Sequence, residues 1–182
     1  MKENFKEHYI ELLKSTKRKG INKLIKWLET TDFFTAPAST KYHLSREKGL
    51  LEHSMHVLDN LIVEDSEHEF ETCIIVALLH DICKANYYSV KERNVKKEDK
   101  WVKEPYYVVD DQFPIGHGEK SVILIQKFID LTEEEIAAIR WHMGAYESKD
   151  NYMYLNKVFE KYSLALYLHI ADLKATYIDE KE

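Results

Sequence analysis

In the stretch "INKLIKWLET", apolar side chains fall at Ile21, Leu24, Ile25 and Leu28, the spacing that lays one stripe along a helix. "GLLEHSMHVLDNLIV" repeats the pattern with Leu50, Leu51, Ser54, Val57, Leu58 and Leu61. Residues 68 to 85 read as a single helix, apolar enough from Cys73 to Leu79 to be central. "EKSVILIQKFID" gives a further helix, and "TEEEIAAIRWH" opens on a capping box, Thr132 with Glu135 three residues on. A long helix is expected over roughly residues 152 to 178. The pattern changes once. Residues 87 to 113 are rich in Tyr, Val and Trp around the polar "KKEDK", which predicts a β-hairpin with Pro105 on an edge or at a bulge.

The reading is therefore an all-α fold with a small inserted hairpin at 87–113, in one domain over residues 1–182. Hydrophobic residues make up 45% and charged residues 32%, enough to bury a real core. The net charge of −6 argues against general, charge-driven nucleic-acid binding while leaving a local basic patch open. No apolar run approaches the roughly 18 residues a membrane span needs, so no membrane role is expected. The first residues lack the continuous apolar core of a signal peptide. Cys73 and Cys83, on one helix, would lie about 15 Å apart, too far for a disulfide. A cytoplasmic protein is the natural expectation.

The central run ends abruptly in His80-Asp81 within "ALLHDICK". Buried ionisable groups are costly unless paired or holding a metal. Other polar residues interrupt apolar helices in the same way: His53 in "LLEHSMHV", His117 in "PIGHGEKS", His142 in "IRWHMG" and Asp172 in "LHIADLKA". All are imidazoles or carboxylates. That donor set suits Fe, Mn, Ni, Co or Zn rather than a thiolate-rich structural zinc site.

The ordered set His53, His80-Asp81, His117, His142 and Asp172 resembles that of the HD-domain superfamily of metal-dependent phosphohydrolases. "LLHDICK" is close to the family's "LLHDIGK", with Cys83 where glycine is common, and "GLLEHSMHV" resembles its first-histidine helix. "GHGEKS" and "WHMG" look like the extra histidines of two-metal members, and "APASTKYHLSREKGLLEH" resembles HD domains of the 3′-to-5′ exoribonuclease type. The resemblance implies an HD-domain helical bundle with its ligand core over about residues 49–178. It implies two divalent transition metals, one held by His53, His80, Asp81 and Asp172, the other by Asp81, His117 and His142. Asp81 would bridge the pair, and a metal-activated hydroxide would attack a phosphate ester of a nucleotide or short oligonucleotide. Asp81 and Lys84 are the expected catalytic residues, with Lys84, Arg140 and Lys174 on the substrate phosphate. Three alternatives stand: a 3′-to-5′ exonuclease-like phosphodiesterase acting on short single strands, a diadenosine-polyphosphate or cyclic-nucleotide hydrolase with a deep aromatic pocket, and a non-catalytic module that binds metal and nucleotide.

Further expectations attach to single residues. His56 competes with His53 for the first ligand position, while His8, His43, His68 and His169 fit no ligand slot. Lys41 to Arg46 is a candidate pocket rim. Gly116 and Gly118 would turn the chain sharply to aim His117, and Glu119 would orient that ring. The aromatics of 87–113 (Tyr87, Tyr88, Trp101, Tyr106, Tyr107) would either pack the hairpin or wall the substrate pocket.

Overall fold

A computed structural model describes residues 5–146 and 149–181. Among these residues it contains eight α-helices and one antiparallel hairpin. The helices are α1 (Phe5–Ser15), α2 (Ile21–Glu29), α3 (Gly49–Glu64), α4 (Phe70–Leu79), α5 (His117–Gln126), α6 (Glu133–Trp141), α7 (Tyr152–Lys161) and α8 (Ser163–Lys174). Strands β1 (Tyr88–Lys97) and β2 (Lys100–Val109) lie between α4 and α5. The architecture is an all-α bundle with an inserted hairpin, as the sequence implies.

The core forms around α4, where every residue from Cys73 to Leu79 is buried. Helix α3 packs on α4 and α8, and α6 on α5 and α8. The stripe read in α2 is the buried one, Ile21, Leu24, Ile25 and Leu28. From α1, the Tyr9 hydroxyl donates to the Leu78 carbonyl at 2.6 Å, which satisfies the one polar atom of a fully buried ring. Arg18 clamps three parts of the bundle. Its guanidinium donates to Glu135 at 2.8 and 3.0 Å, to Glu71 at 2.8 Å and to the Asp130 carbonyl at 3.0 Å. Glu135 also closes the capping box with Thr132 at the start of α6.

The hairpin register places Pro105 opposite Glu92, in a sheet whose two strands are both edges, where a missing N–H costs nothing. Its two-residue turn, Glu98-Asp99, has positive φ at both positions (46° and 65°), the hand that matches strand twist.

Two helices are shorter than the periodicity predicts. The helix expected over 68–85 stops at Leu79, and Asp81 (φ −103°, ψ 17°) leads into a 3₁₀ turn, Ile82–Lys84. The helix expected over 152–178 breaks at Tyr162, which is extended (φ −127°, ψ 96°), and ends in a π turn, Ala175–Asp179. The cause of the second break is a change of face. Helix α7 buries Leu155 alone, whereas α8 buries Leu164, Ala165, Leu168 and Ala171, so only α8 turns into the core.

Candidate metal centre

Asp81 sits at the end of the most buried helix with a backbone in the sparsely used bridge region, a frequent conformation at functional sites. Four imidazoles converge on it. His117 Nε2 lies 2.5 Å from Asp81 Oδ1 and His142 Nε2 lies 3.6 Å from it. Nε2 of His80 and of His53 lie 3.5 and 3.8 Å from Asp81 Oδ2. His53 Nε2 also approaches Asp172 Oδ1 at 3.2 Å. The structure thus brings His53, His80, Asp81, His117, His142 and Asp172 to one point, from α3, α4 and its following turn, α5, α6 and α8.

Each ring is held from behind at Nδ1. His80 donates to the Ala77 carbonyl at 2.8 Å, and His142 to the Ile139 carbonyl at 2.7 Å. His53 donates to both oxygens of Glu180 at 3.0 and 3.1 Å. Cys83 Sγ lies 3.3 Å from His117 Nδ1. A neutral imidazole that donates through Nδ1 presents a lone pair at Nε2. Nε2 of both His80 and His142 is buried with no hydrogen-bond partner, although each faces the Asp81 carboxylate. Lone pairs turned toward a buried carboxylate repel it unless a cation lies between. The donors present therefore fit a divalent metal. Ligand atoms fall into overlapping groups, each within 4.8 Å: His53, His80 and Asp172; His80, Asp81 and His142; Asp81, Cys83 and His117; His43, His53 and Glu180. His142 groups here with His80, and Cys83 joins His117.

Proton affinities reflect the same crowding. Burial opposes charge on His53, but hydrogen bonds to Asp172 and Glu180 outweigh it and raise the ring to about 9. Burial opposes charge on His117 as well, but the adjoining Cys83 sulfur and Asp81 carboxylate outweigh it and raise the ring to about 10. His80 drops to about 4, chiefly through burial. Burial works against the charged form of Asp81 too, yet Lys84 and the neighbouring imidazoles hold its carboxyl well below the usual range. The 3₁₀ turn brings residues three apart onto one edge. Lys84 Nζ accordingly lies 2.6 Å from Asp81 Oδ2, and it also donates to the Ala38 carbonyl at 2.7 Å.

A cavity of about 760 Å³ opens onto this cluster. His53, Asp81, His117 and Asp172 form part of its wall, with Lys84 beside them. Tyr42, Tyr146 and Tyr177 are exposed at it, and the last two hydroxyls meet at 2.8 Å. Arg140 and Lys174 are absent from the wall. Arg140 reaches Glu119 at 2.6 Å and stacks on Trp141, while Lys174 is paired with Glu64. Glu119 is thus turned to Arg140, and the atom found at His117 Nδ1 is the Cys83 sulfur instead. The glycines beside His117 divide their work. Gly116 supplies a positive φ of 101°, and Gly118 lets α5 approach α6 so closely that a Cβ would lie 2.2 Å from the Arg140 carbonyl oxygen.

The rim expectation for 41–46 splits. Tyr42 and His43 line the cavity, whereas Arg46 pairs with Glu52. Hairpin residues do not line it. Arg93, Glu104, Pro105, Tyr106 and Tyr107 face a separate groove with Thr40, Lys41 and Ser45. His43 and His169, expected to fit no ligand slot, are both on the wall, and His43 falls into a group with His53 and Glu180. The sequence reading passed over Glu180, which also accepts from His56 Nδ1 at 2.9 Å. Its only sequence signal is a carboxylate shortly after the Asp172 helix.

A helical bundle that gathers imidazoles and carboxylates from five helical segments onto one buried aspartate has the makings of a metal-binding site. The model of the HD domain family matches residues 50–177, and the chain belongs to that family. HD domains are in general metal-dependent hydrolases of phosphorylated substrates. Searches of curated proteins and of solved structures found no match. No helix among the described residues is long and apolar enough to cross a membrane.

Proposed function

We propose that the chain works as one HD domain, in the cytoplasm, hydrolysing a phosphate ester of a nucleotide or similar phosphorylated small molecule. The observation that carries this reading is the partnerless Nε2 atoms of His80 and His142, fixed by their Nδ1 bonds and aimed at Asp81. His53, His80, Asp81 and Asp172 would hold one divalent transition metal, and Asp81, His117 and His142 a second, with Cys83 beside His117. Such metals supply a lowered water pKa and neutralisation of charge on a phosphoryl group. The protein's own contributions follow from its geometry. Asp81 offers one oxygen to each half of the cluster, since Oδ2 faces His53 and His80 and Oδ1 faces His117 and His142. Lys84 brings a fixed cation to the cavity beside Asp81, placed to meet a phosphate oxygen. The cavity volume lies in the range of small-ligand sites, and the tyrosines offer ring faces to a base.

The test is metal analysis of protein purified without chelator, joined to a panel of nucleotides and phosphodiesters. The reading expects bound transition metal and hydrolysis of at least one phosphoester. Asp81→Asn should remove metal and activity together while circular dichroism stays helical. A variant that keeps full activity would sink the assignment. A metal-loaded protein inert to every phosphoester would make the chain a binding module.

A further inference from the structure

We propose that Glu180 is a positioning residue that holds His53 for the metal. The proposal rests on the metal-centre reading above and concerns a residue outside the stretch matched by the family model, which ends at residue 177. Glu180 follows the π turn after α8, and its side chain is fully buried. Both oxygens lie on His53 Nδ1, at 3.0 and 3.1 Å. Oε1 is shared with His56 Nδ1 at 2.9 Å, and Oε2 stands 3.9 Å from His43 Nε2.

Of the four converging rings, His80 and His142 rest on neutral backbone carbonyls and His117 on a thiol. Only His53 is held by a carboxylate. A carboxylate behind Nδ1 keeps the proton on that nitrogen, directs Nε2 to the metal and makes it a stronger donor. Anchoring the C-terminal turn does not require this. Asn60 Nδ2 already donates to Asp179 Oδ2 at 2.6 Å, one residue away. A buried carboxylate is a costly anchor where an apolar side chain would serve.

The experiment measures cobalt(II) affinity of the chelator-stripped full chain by competition with a chromogenic chelator, with the visible spectrum as a second readout. Glu180→Ala should weaken binding about 10- to 100-fold, the usual effect of losing such a partner, and alter the cobalt spectrum. Glu180→Gln keeps the volume and an accepting oxygen but loses the charge, so it should fall between. Asn60→Ala, which loosens the turn without touching His53, should bind as the wild type does. The proposal is overturned if both Glu180 variants bind normally, or if Asn60→Ala weakens binding equally. The isosteric glutamine keeps the test decisive should the alanine variant unfold. Wild-type protein that takes up no cobalt would instead remove the metal-centre reading, and this proposal with it.

Discussion

Loading metal into stripped protein should expel protons, and the structure says from where. Without metal, His53 lies between Glu180 and Asp172 and titrates near 9, while His117 lies against Asp81 and Cys83 and titrates near 10. At pH 7 both rings are almost wholly imidazolium. A metal takes only the neutral ring, so each of these two should release about one proton on ligation. His80, held near 4, is already neutral and should release none. Filling the His53 half of the cluster alone should therefore expel about one proton from these rings, and filling the His117 half about one more. The assay is isothermal titration of cobalt or manganese in two buffers of different ionisation enthalpy. Repeated near pH 10.5, the release from these rings should fall to a small fraction, because both are then mostly neutral. The same shifts act on stability. A histidine raised from an ordinary value near 6.5 stabilises the fold fully below that value and loses the contribution as pH rises through its folded value. For His53, at about 9, this amounts to roughly 3 kcal/mol. Melting temperature of the stripped protein should then fall between pH 7 and 10, whereas metal-loaded protein should show no such fall. Proton release that is absent at pH 7, or that does not change by pH 10.5, would refute the reasoning.

Lys84→Met should keep metal content and lower kcat/KM for a phosphoester about 10- to 100-fold, the scale of one lost charged hydrogen bond; lost metal would reassign Lys84 to holding the centre together. Arg18→Met leaves the fully buried Glu135 carboxylate without its bidentate partner. That should cost about 3–5 kcal/mol and lower the melting temperature by roughly 6–20 °C, read by circular dichroism, and a change under about 3 °C would contradict the clamp. Replacing residues 96 to 100 by a shorter turn trims a tip remote from the cavity wall. Metal content and KM should stay unchanged for a nucleotide and for a generic phosphodiester alike, and a selective loss on the nucleotide would return the hairpin to the substrate site.

Much of this was legible because local signals and tertiary demands agree. The α2 stripe, the Thr132 capping box and the hairpin each follow from residues close in sequence. His80-Asp81 stands out because two ionisable groups end a wholly buried run, where each needs a partner or a metal, and because the other histidines and Asp172 recur in order around it. What stayed hidden depends on single backbone decisions that leave periodicity untouched. Tyr162 extends, and one expected helix becomes two. Asp81 leaves the α conformation, and Lys84 folds back onto it. His43 and Glu180 lie outside regular helix, so no apolar pattern marks them as buried, and only the path of the chain brings them to His53. Cys83 reads in the sequence only as a residue where glycine is common, and its sulfur gains meaning once α5 delivers His117 to it.

The span of chain between the parts of the centre has a consequence in time. Asp81 meets His117 across only 36 positions, but His53 waits for Glu180 across 127. At about 5–20 residues per second, a ribosome needs roughly 6–25 seconds to cover that gap. During that interval α3 and the His80-Asp81 turn have emerged, and the hairpin, which closes in about 1–10 μs, has long since formed. The imidazoles of His53 and His56 emerge before the carboxylate that fixes them exists. On the proposed role of Glu180, tight and correctly oriented metal binding would be among the last properties a growing chain acquires, and a chain cut short after Asp172 would carry every proposed ligand yet should hold metal loosely.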